Sequence, residues 1–309
     1  MARRKKGRAV HGWVVLDKPS GMTSTQAVGA VRRIFDARKA GHSGTLDPLA
    51  TGVLPIALGE ATKTVPYAVE GRKRYRFTVR WGVATNTDDA EGTVIGTSSS
   101  RPGRPAIEAL LGTFTGAIAQ IPPSFSAIKI AGDRAYDLAR AGEVVTLQPR
   151  TVEVFSLRLI DLSESDTATF EAECGKGTYV RALARDMGSS LGCLGHLIAL
   201  RRTRVAGFSE ADAVSLEALE EASGRSDGLL STYLLPVEAA LRELPALNVG
   251  QNDAARLLRG QPVLIRGRDA PPASSGHTYA TCKGNLIAVG RIERGEMYPV
   301  RVFRFGEAG

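Results

Sequence analysis

Gly41-His42-Ser43-Gly44-Thr45-Leu46-Asp47-Pro48-Leu49-Ala50-Thr51-Gly52-Val53-Leu54 carries more conformational and chemical information than any other stretch of this chain. Its first nine residues show neither a 3.6-residue nor a two-residue apolar period, so they read as a shaped loop that enters a regular element where the sequence turns apolar. Gly41, Gly44 and Gly52 permit left-handed or tightly packed backbone that a residue with a Cβ resists. Pro48 pushes Asp47 toward extended geometry, because the proline ring collides with a helical residue before it. Two readings stand open at this level. One is an Asp-Pro turn whose glycines serve folding; the other is a rigid loop that aims the Asp47 carboxylate at a substrate.

On either side of the loop the periodicities predict a mixed α/β protein. Residues 12–17 (GWVVLD) form a short apolar run suited to a buried strand, closed by the turn Lys18-Pro19-Ser20-Gly21. Thr23 or Ser24 can cap a helix in which Val28, Val31, Ile34 and Phe35 recur at helical spacing. Arg32, Arg33, Arg38 and Lys39 lie around its end, where they suit the helix dipole and equally suit contact with a polyanion. Residues 53–58 predict a strand and residues 60–67 a short helix. Tyr75, Phe77, Val79 and Trp81 alternate with Arg76, Thr78 and Arg80, the two-residue period of a strand with one bulky face. The segment 98–103 is a flexible connector, followed by a helix at 105–113. Residues 150–161 and 168–174 predict a hairpin. Thr178 can cap a helix whose Tyr179, Ala182, Leu183 and Met187 share a face. After about residue 243 the character changes: a helix near 252–259 ends at Gly260, and short β-like runs follow at 262–265, 286–292 and 298–305. A small β-barrel is the natural reading of that part.

The 309 residues carry a formal net charge of +8 and a pI near 9.6, a balance that favours polyanionic partners. Arg3, Arg4, Lys5, Lys6 and Arg8 predict a free basic arm, available to phosphates or simply solubilising. No apolar run follows it, which argues against a signal peptide or membrane span. Cys174, Cys193 and Cys282 are widely spaced with no CxxC pair, so zinc is disfavoured and buried thiols in a reducing cytoplasm are expected. The carboxylates of Thr85–Gly92 lack the EF-hand spacing. The four histidines are scattered, and no metal or cofactor is expected.

Residues 42–54 closely resemble the catalytic-loop pattern of TruB-type tRNA pseudouridine synthases, G-H-x-G-T-L-D-P-x-A-x-G-V-L, over thirteen consecutive positions. Further blocks resemble the same family in order. Residues 17–24 fit D-K-P-x-G-x-T-S, and Lys73-Arg74-Tyr75 fits K-x-Y. Residues 85–92 fit T-x-T-x-D-x-x-G, and residues 121–136 fit I-P-P-x-x-S-A-x-K-x-x-G-x-R-x-Y. Residues 176–188 fit K-G-T-Y-I-R-x-L-x-x-D-L-G with Val180 and Met187 as departures, and residues 196–205 (HLIALRRTRV) resemble the block that follows. The resemblance implies that Asp47 is the catalytic carboxylate, that Arg181 pairs with it, and that His42 lies in the RNA-binding cleft. It implies that Tyr75 contacts the target base, Tyr179 lines the pocket, Leu200 floors it and Asp89 supports the cleft. Arg201, Arg202 and Arg204 are then expected near the RNA backbone. Lys129, Arg134 and Arg140 become phosphate-facing candidates on a thumb insertion at about 121–150, packed by Tyr136, with residues 134–142 helical. An arginine beside a carboxylate favours its anion and presents a rigid donor fork.

The expected organisation is a basic arm at 1–11, a pseudouridine synthase catalytic domain at 12–243 and a PUA-like RNA-binding domain at 244–309. The expected function is conversion of uridine-55 in the TΨC loop of tRNA to pseudouridine, by a cytoplasmic monomer that needs neither cofactor nor obligatory protein partner. A tRNA-folding chaperone and a guide-dependent synthase acting on ribosomal RNA are the competing classes.

Overall fold

The computed structural model describes residues 7–126, 129–130, 133–134, 147–162, 166–265 and 276–305. The chain divides into two compact units that are discontinuous in sequence: residues 1–46, 53–69 and 205–309 in one, residues 47–52 and 70–204 in the other.

In the first unit, β1 (Gly12–Lys18) is buried on both faces, which is why its sequence is a continuous apolar run rather than an alternating one. Trp13 and Val15 join one core with Val53, Ala57, Val205, Phe208 and Leu241, while Val14 and Leu16 join another with Leu54, Ile56 and Leu58. The Trp13 indole N–H is satisfied by Thr64 Oγ1 and the Val237 carbonyl, both at 3.2 Å. The helix Ser24–Ile34 starts with a capping box between Thr23 and Gln26, and turns Ala27 and Val31 into the second core. The Ser24 hydroxyl accepts from the Leu46 amide at 2.8 Å and donates to the Leu46 carbonyl at 3.0 Å. β2 (Ala40–His42) pairs antiparallel with β3 (Thr51–Leu58), setting His42 opposite Ile56. The basic arm is tied down at its described end: Arg8 donates to the Asp36 carbonyl and accepts from the Arg38 amide.

In the second unit, β4 (Lys73–Trp81), β5 (Val83–Thr85), β6 (Val94–Thr97), β7 (Gly116–Gln120), the two-residue strands β8 (Lys129–Ile130) and β9 (Asp133–Arg134), β10 (Arg150–Asp161), β11 (Thr167–Cys174) and β12 (Gly195–Val205) follow in order. The sheet runs β12-β4-β11-β10-β7. Phe77 stands opposite Phe170, their rings stacked at 5.4 Å, and with Val79 and Trp81 they fill the bulky face that the alternation in β4 predicted. Glu173 on β11 sits opposite Arg74 and is forked by Arg74 at 2.8 Å and Arg72 at 3.1 Å. The Arg74 hydrogen bond holds the Glu173 carboxyl below its ordinary range against the opposing effect of burial. A lowered carboxylate stabilises the fold above its unfolded value and loses that contribution as pH falls through the folded one. Glu173→Gln should therefore cost up to about 1 kcal/mol at pH 7, the scale of an exposed pair. The loss should vanish in melts at a pH acid enough to protonate the wild-type side chain.

Past β12, the first unit resumes with β13 (Phe208–Ser209) and a helix Leu216–Ser223 capped by Ser215. Its C-terminal part is a five-stranded sheet. β14 (Ala246–Asn248), β15 (Val263–Leu264), β16 (His277–Cys282), β17 (Asn285–Glu293) and β18 (Glu296–Val302) take the order β14-β16-β17-β18-β15. With the helix Gln251–Leu258 they enclose Leu247, Leu257, Val263, Ala280, Ala288 and Met297. The expected barrel is thus an open sheet of five strands, consistent with a PUA-like fold, and includes two strands, β14 and β16, that the sequence pattern does not predict. The segment Phe303–Phe305 is pinned beside the start of the chain. His11 meets the Phe305 ring edge-on at 5.9 Å, and Lys63 donates to the Val302 carbonyl at 2.9 Å.

Three local expectations are corrected. The helix Val180–Ser190 begins after Tyr179 with no side-chain cap, and Thr178 does not serve it. Cys282 is partly exposed, whereas Cys174 and Cys193 are buried, and burial pushes the Cys174 thiol up to about 12. Arg134 stands in β9, paired with Lys129 of β8, rather than opening a helix. The rest of that expected helix, with Tyr136 and Arg140, lies outside the described residues.

Candidate active site

Asp47 opens a four-residue turn in which the Ala50 amide donates to the Asp47 carbonyl at 3.1 Å, with Pro48 at the position that favours proline. The chain then enters β3, whose first residues, Thr51 and Gly52, pair in parallel with Arg201 and Arg202 of β12. Gly52 has a φ of +98°, and a Cβ there would fall 2.3 Å from the Arg202 carbonyl oxygen. A glycine is required for the turn to lie this close to β12.

Arg181, in the first turn of the helix Val180–Ser190, is only 5% exposed. Its Nε lies 2.9 Å from Asp47 Oδ2, but off the line of a hydrogen bond, so the contact is one of charge. The rest of the fork is committed: Nη1 donates to the Thr87 carbonyl at 3.1 Å and Nη2 to the Phe125 carbonyl at 2.9 Å. Nη1 also stands 3.4 Å from Asp89 Oδ2. Asp89 is itself buried and held by the Thr87 hydroxyl at 2.5 Å and the Glu91 amide at 3.0 Å. A guanidinium this deep is costly unless paired, and here two carboxylates and two carbonyls share it. Asp47, by contrast, keeps 32% of its side chain exposed, so it is the member of the group open to a ligand.

Around this pair stand two phenols and a second buried arginine. Arg202 is 1% exposed and is a hydrogen-bond partner of the Tyr75 hydroxyl. Burial pushes the Tyr75 hydroxyl up, partly offset by Arg202, and Asp47 adds to the rise. Burial also raises Tyr179, again with a contribution from Asp47. The same desolvation lowers Arg202. Leu200, two residues before Arg202 on β12, is buried as well. Tyr179 is held through its backbone by Gln120, whose amide donates to the Tyr179 carbonyl at 3.1 Å and whose Oε1 accepts from the Tyr179 N–H at 2.8 Å.

Asp47, Tyr75, Asp89, Tyr179, Arg181 and Leu200 therefore all belong to one compact unit. His42 belongs to the other, and for Lys129 and Arg134 the backbone alone is described. Arg202 departs from the expectation of RNA-backbone contact, because its burial denies it a phosphate. Its burial comes from its place on β12, where residues 200 and 202 share a face. Gln120 carries no sequence signal beyond its proximity to the motifs. Chemically the arrangement offers an accessible anion beside fixed cations, with two phenol rings near it, which suits a flat polar ring. Arg181→Met should lower single-turnover rate by about 100-fold or more, as for loss of a preorganised charge, while RNA affinity changes less than about threefold. Equal losses in rate and filter binding would make Arg181 a phosphate anchor instead.

Two family models divide most of the chain. Residues 32–180 match the N-terminal domain of the TruB family pseudouridylate synthases. Residues 181–242 match the tRNA pseudouridylate synthase B C-terminal domain. The class is that of the pseudouridylate synthases, and within it the chain belongs to the TruB family. It is 61% identical to tRNA pseudouridine synthase B of Bradyrhizobium diazoefficiens, over 97% of this chain and 88% of that protein. It is 55% identical to the Rhizobium meliloti protein of the same name, over 97% and 98% respectively. Among solved structures, a chain of the archaeal box H/ACA sRNP Nop10-Cbf5 complex shares the fold with a TM-score of 0.73 at 25% identity, covering 98% of this chain and 92% of that one.

Proposed function

We propose that this protein isomerises uridine-55 in the T stem-loop of tRNA to pseudouridine, as a cytoplasmic monomer acting without an obligatory protein partner. The observation that carries the reading is the partly exposed Asp47 carboxylate set against the buried Arg181 fork, in a chain so similar to tRNA pseudouridine synthase B. The target base must leave its stack to expose the glycosidic bond, and enzymes acting on a base do this by flipping the nucleotide into a pocket. Tyr75 then stacks on the base, Leu200 floors it and Tyr179 lines its edge. Asp47 acts at the glycosidic centre: the N1–C1′ bond breaks, the base rotates and a C5–C1′ bond forms. C5 loses its proton and N1 gains one, so the step is a balanced isomerisation. Arg181, with Asp89 behind it, keeps Asp47 oriented. His42, Lys129 and Arg134 meet the RNA outside the pocket, in keeping with the basic balance of the chain. Among the described residues no helix is long and apolar enough to cross a membrane.

The test is pseudouridine formation on an unmodified tRNA transcript with nothing else added. Stoichiometric conversion at one position of the T loop supports the reading. Binding without conversion would favour a chaperone, and conversion only after adding a guide RNA and partner proteins would favour the guide-dependent class.

A further inference from the structure

We propose that Arg185 is a positioning residue for this reaction, tethering residues 120–126 and the carboxylate loop 85–92 so that Arg181 is aimed at Asp47; the inference rests on the function proposed above. Arg185 lies four residues after Arg181 and so shares its helix face one turn on. Its guanidinium joins three pieces of chain. Nη1 donates to Asp88 Oδ2 at 2.8 Å, Nη2 to the Ile121 carbonyl at 2.7 Å, and Nε to Asp186 Oδ1 at 2.8 Å. Arg181 repeats the pattern on the same two segments, reaching the Thr87 and Phe125 carbonyls. Two arginines on one helix face thus each span the same two segments, and Gln120 fastens the second segment again at Tyr179.

The Asp88 end of the tether is built at a cost. Asp88 has a φ of +61°, left-handed backbone that a non-glycine residue adopts rarely, while its carbonyl accepts from the Leu197 amide at 3.0 Å. The side chains of Asp88 and Arg185 are 14% and 27% exposed, so the pair is largely shielded from solvent screening. Burial disfavours the charge on both, yet the Asp186 and Asp88 carboxylates outweigh it at Arg185 and hold that guanidinium protonated more firmly than usual. In the family patterns quoted above, the positions of Asp88 and Arg185 are among the unspecified ones, so the resemblance assigns them nothing. The contact of Arg181 with Asp47 lacks hydrogen-bond alignment. Its geometry therefore depends on the two carbonyls that fix the fork, and these belong to the segments that Arg185 ties.

Arg185→Met, Asp88→Asn, the double variant and Arg185→Lys would be compared with wild type. The readouts are single-turnover rate at saturating enzyme, tRNA affinity, hydrogen exchange across residues 120–126 and thermal midpoint. Arg185→Met should lose about tenfold or more in rate, because small misplacements of a catalytic constellation are that costly. Its tRNA affinity should stay within about twofold, with faster exchange in residues 120–126. Asp88→Asn should show the same changes more weakly, the double variant should be no worse than Arg185→Met, and Arg185→Lys should recover part of the rate. Full rate in a folded Arg185→Met protein, unchanged exchange in residues 120–126, or additive losses in the double variant would overturn the proposal. Absence of pseudouridine from wild type would instead overturn the function, and the exchange measurement reads the tether independently of that outcome.

Discussion

Asp47→Asn should form no measurable pseudouridine while binding tRNA as wild type does. The substitution is nearly isosteric and keeps an oxygen facing Arg181, so the turn closed by the Ala50 amide survives. What disappears is the accessible anion. Arg181 retains Asp89, Thr87 and Phe125 as partners, so its buried charge is not abandoned and the fold should hold. Under the proposed function, removing a group that acts at the reacting bond typically costs about 10⁴-fold or more, whereas affinity for an extended polyanion is dominated by phosphate contacts elsewhere. Release of tritium from a C5-labelled uridine, followed with enzyme in excess, would quantify the loss. Turnover within tenfold of wild type would remove Asp47 from the chemistry.

Gly52→Ala should be the most damaging single methyl in the candidate site. The added carbon meets the Arg202 carbonyl oxygen at 2.3 Å, a backbone atom that no rotamer change can withdraw, at a φ of +98° that L-residues resist. Strain and overpacking together should cost about 3 kcal/mol or more, lowering the thermal midpoint by roughly 5–10 °C for a chain of this size. Because the clash sits where Thr51 and Gly52 pair with β12, it also shifts Asp47 relative to Arg202 and Tyr75. Activity should fall even at temperatures where the variant stays folded. Gly41→Ala is the control: nothing lies within 4 Å of the added carbon and the backbone there is ordinary, so calorimetry should find it within about 1 kcal/mol of wild type. Equal midpoints for the two variants would refute the close-approach argument.

The elements around Asp47 are legible in the sequence because their signals are short and local. The alternation from Tyr75 to Trp81 placed a strand and its buried face, and the loop around Asp47 stood out by its glycines and proline. What escaped was decided by register between distant strands. Arg202 reads as one of three arginines in a basic run, and only its place on β12 beside Tyr75 buries it. Asp88 and Arg185 are ordinary surface residues in sequence; they meet because a left-handed residue turns one loop toward one helix. β14 and β16 leave little mark in the sequence, because three residues, or an HTYATC run with little apolar bulk, carry almost no periodic signal. Thr178 suggests a helix cap in the sequence, but its hydroxyl turns toward the Glu153 carbonyl at 3.5 Å and the helix starts at Val180 without a side-chain cap.

The discontinuous make-up of the first unit sets an order of events on the ribosome. Trp13 and Val15 leave the ribosome long before Leu286, Val289 and Phe303, which share their core. Residues 70–204 form an uninterrupted run and can acquire their sheet while translation continues, as domains generally do. The first strand is covered in stages. Its Val14 and Leu16 face can meet Ala27, Val31, Leu54 and Ile56 early, whereas the core around Trp13 and Val15 is completed only when Phe208, Leu241, Leu286 and Phe303 have followed, so a chain stalled between leaves part of that core for a chaperone to cover.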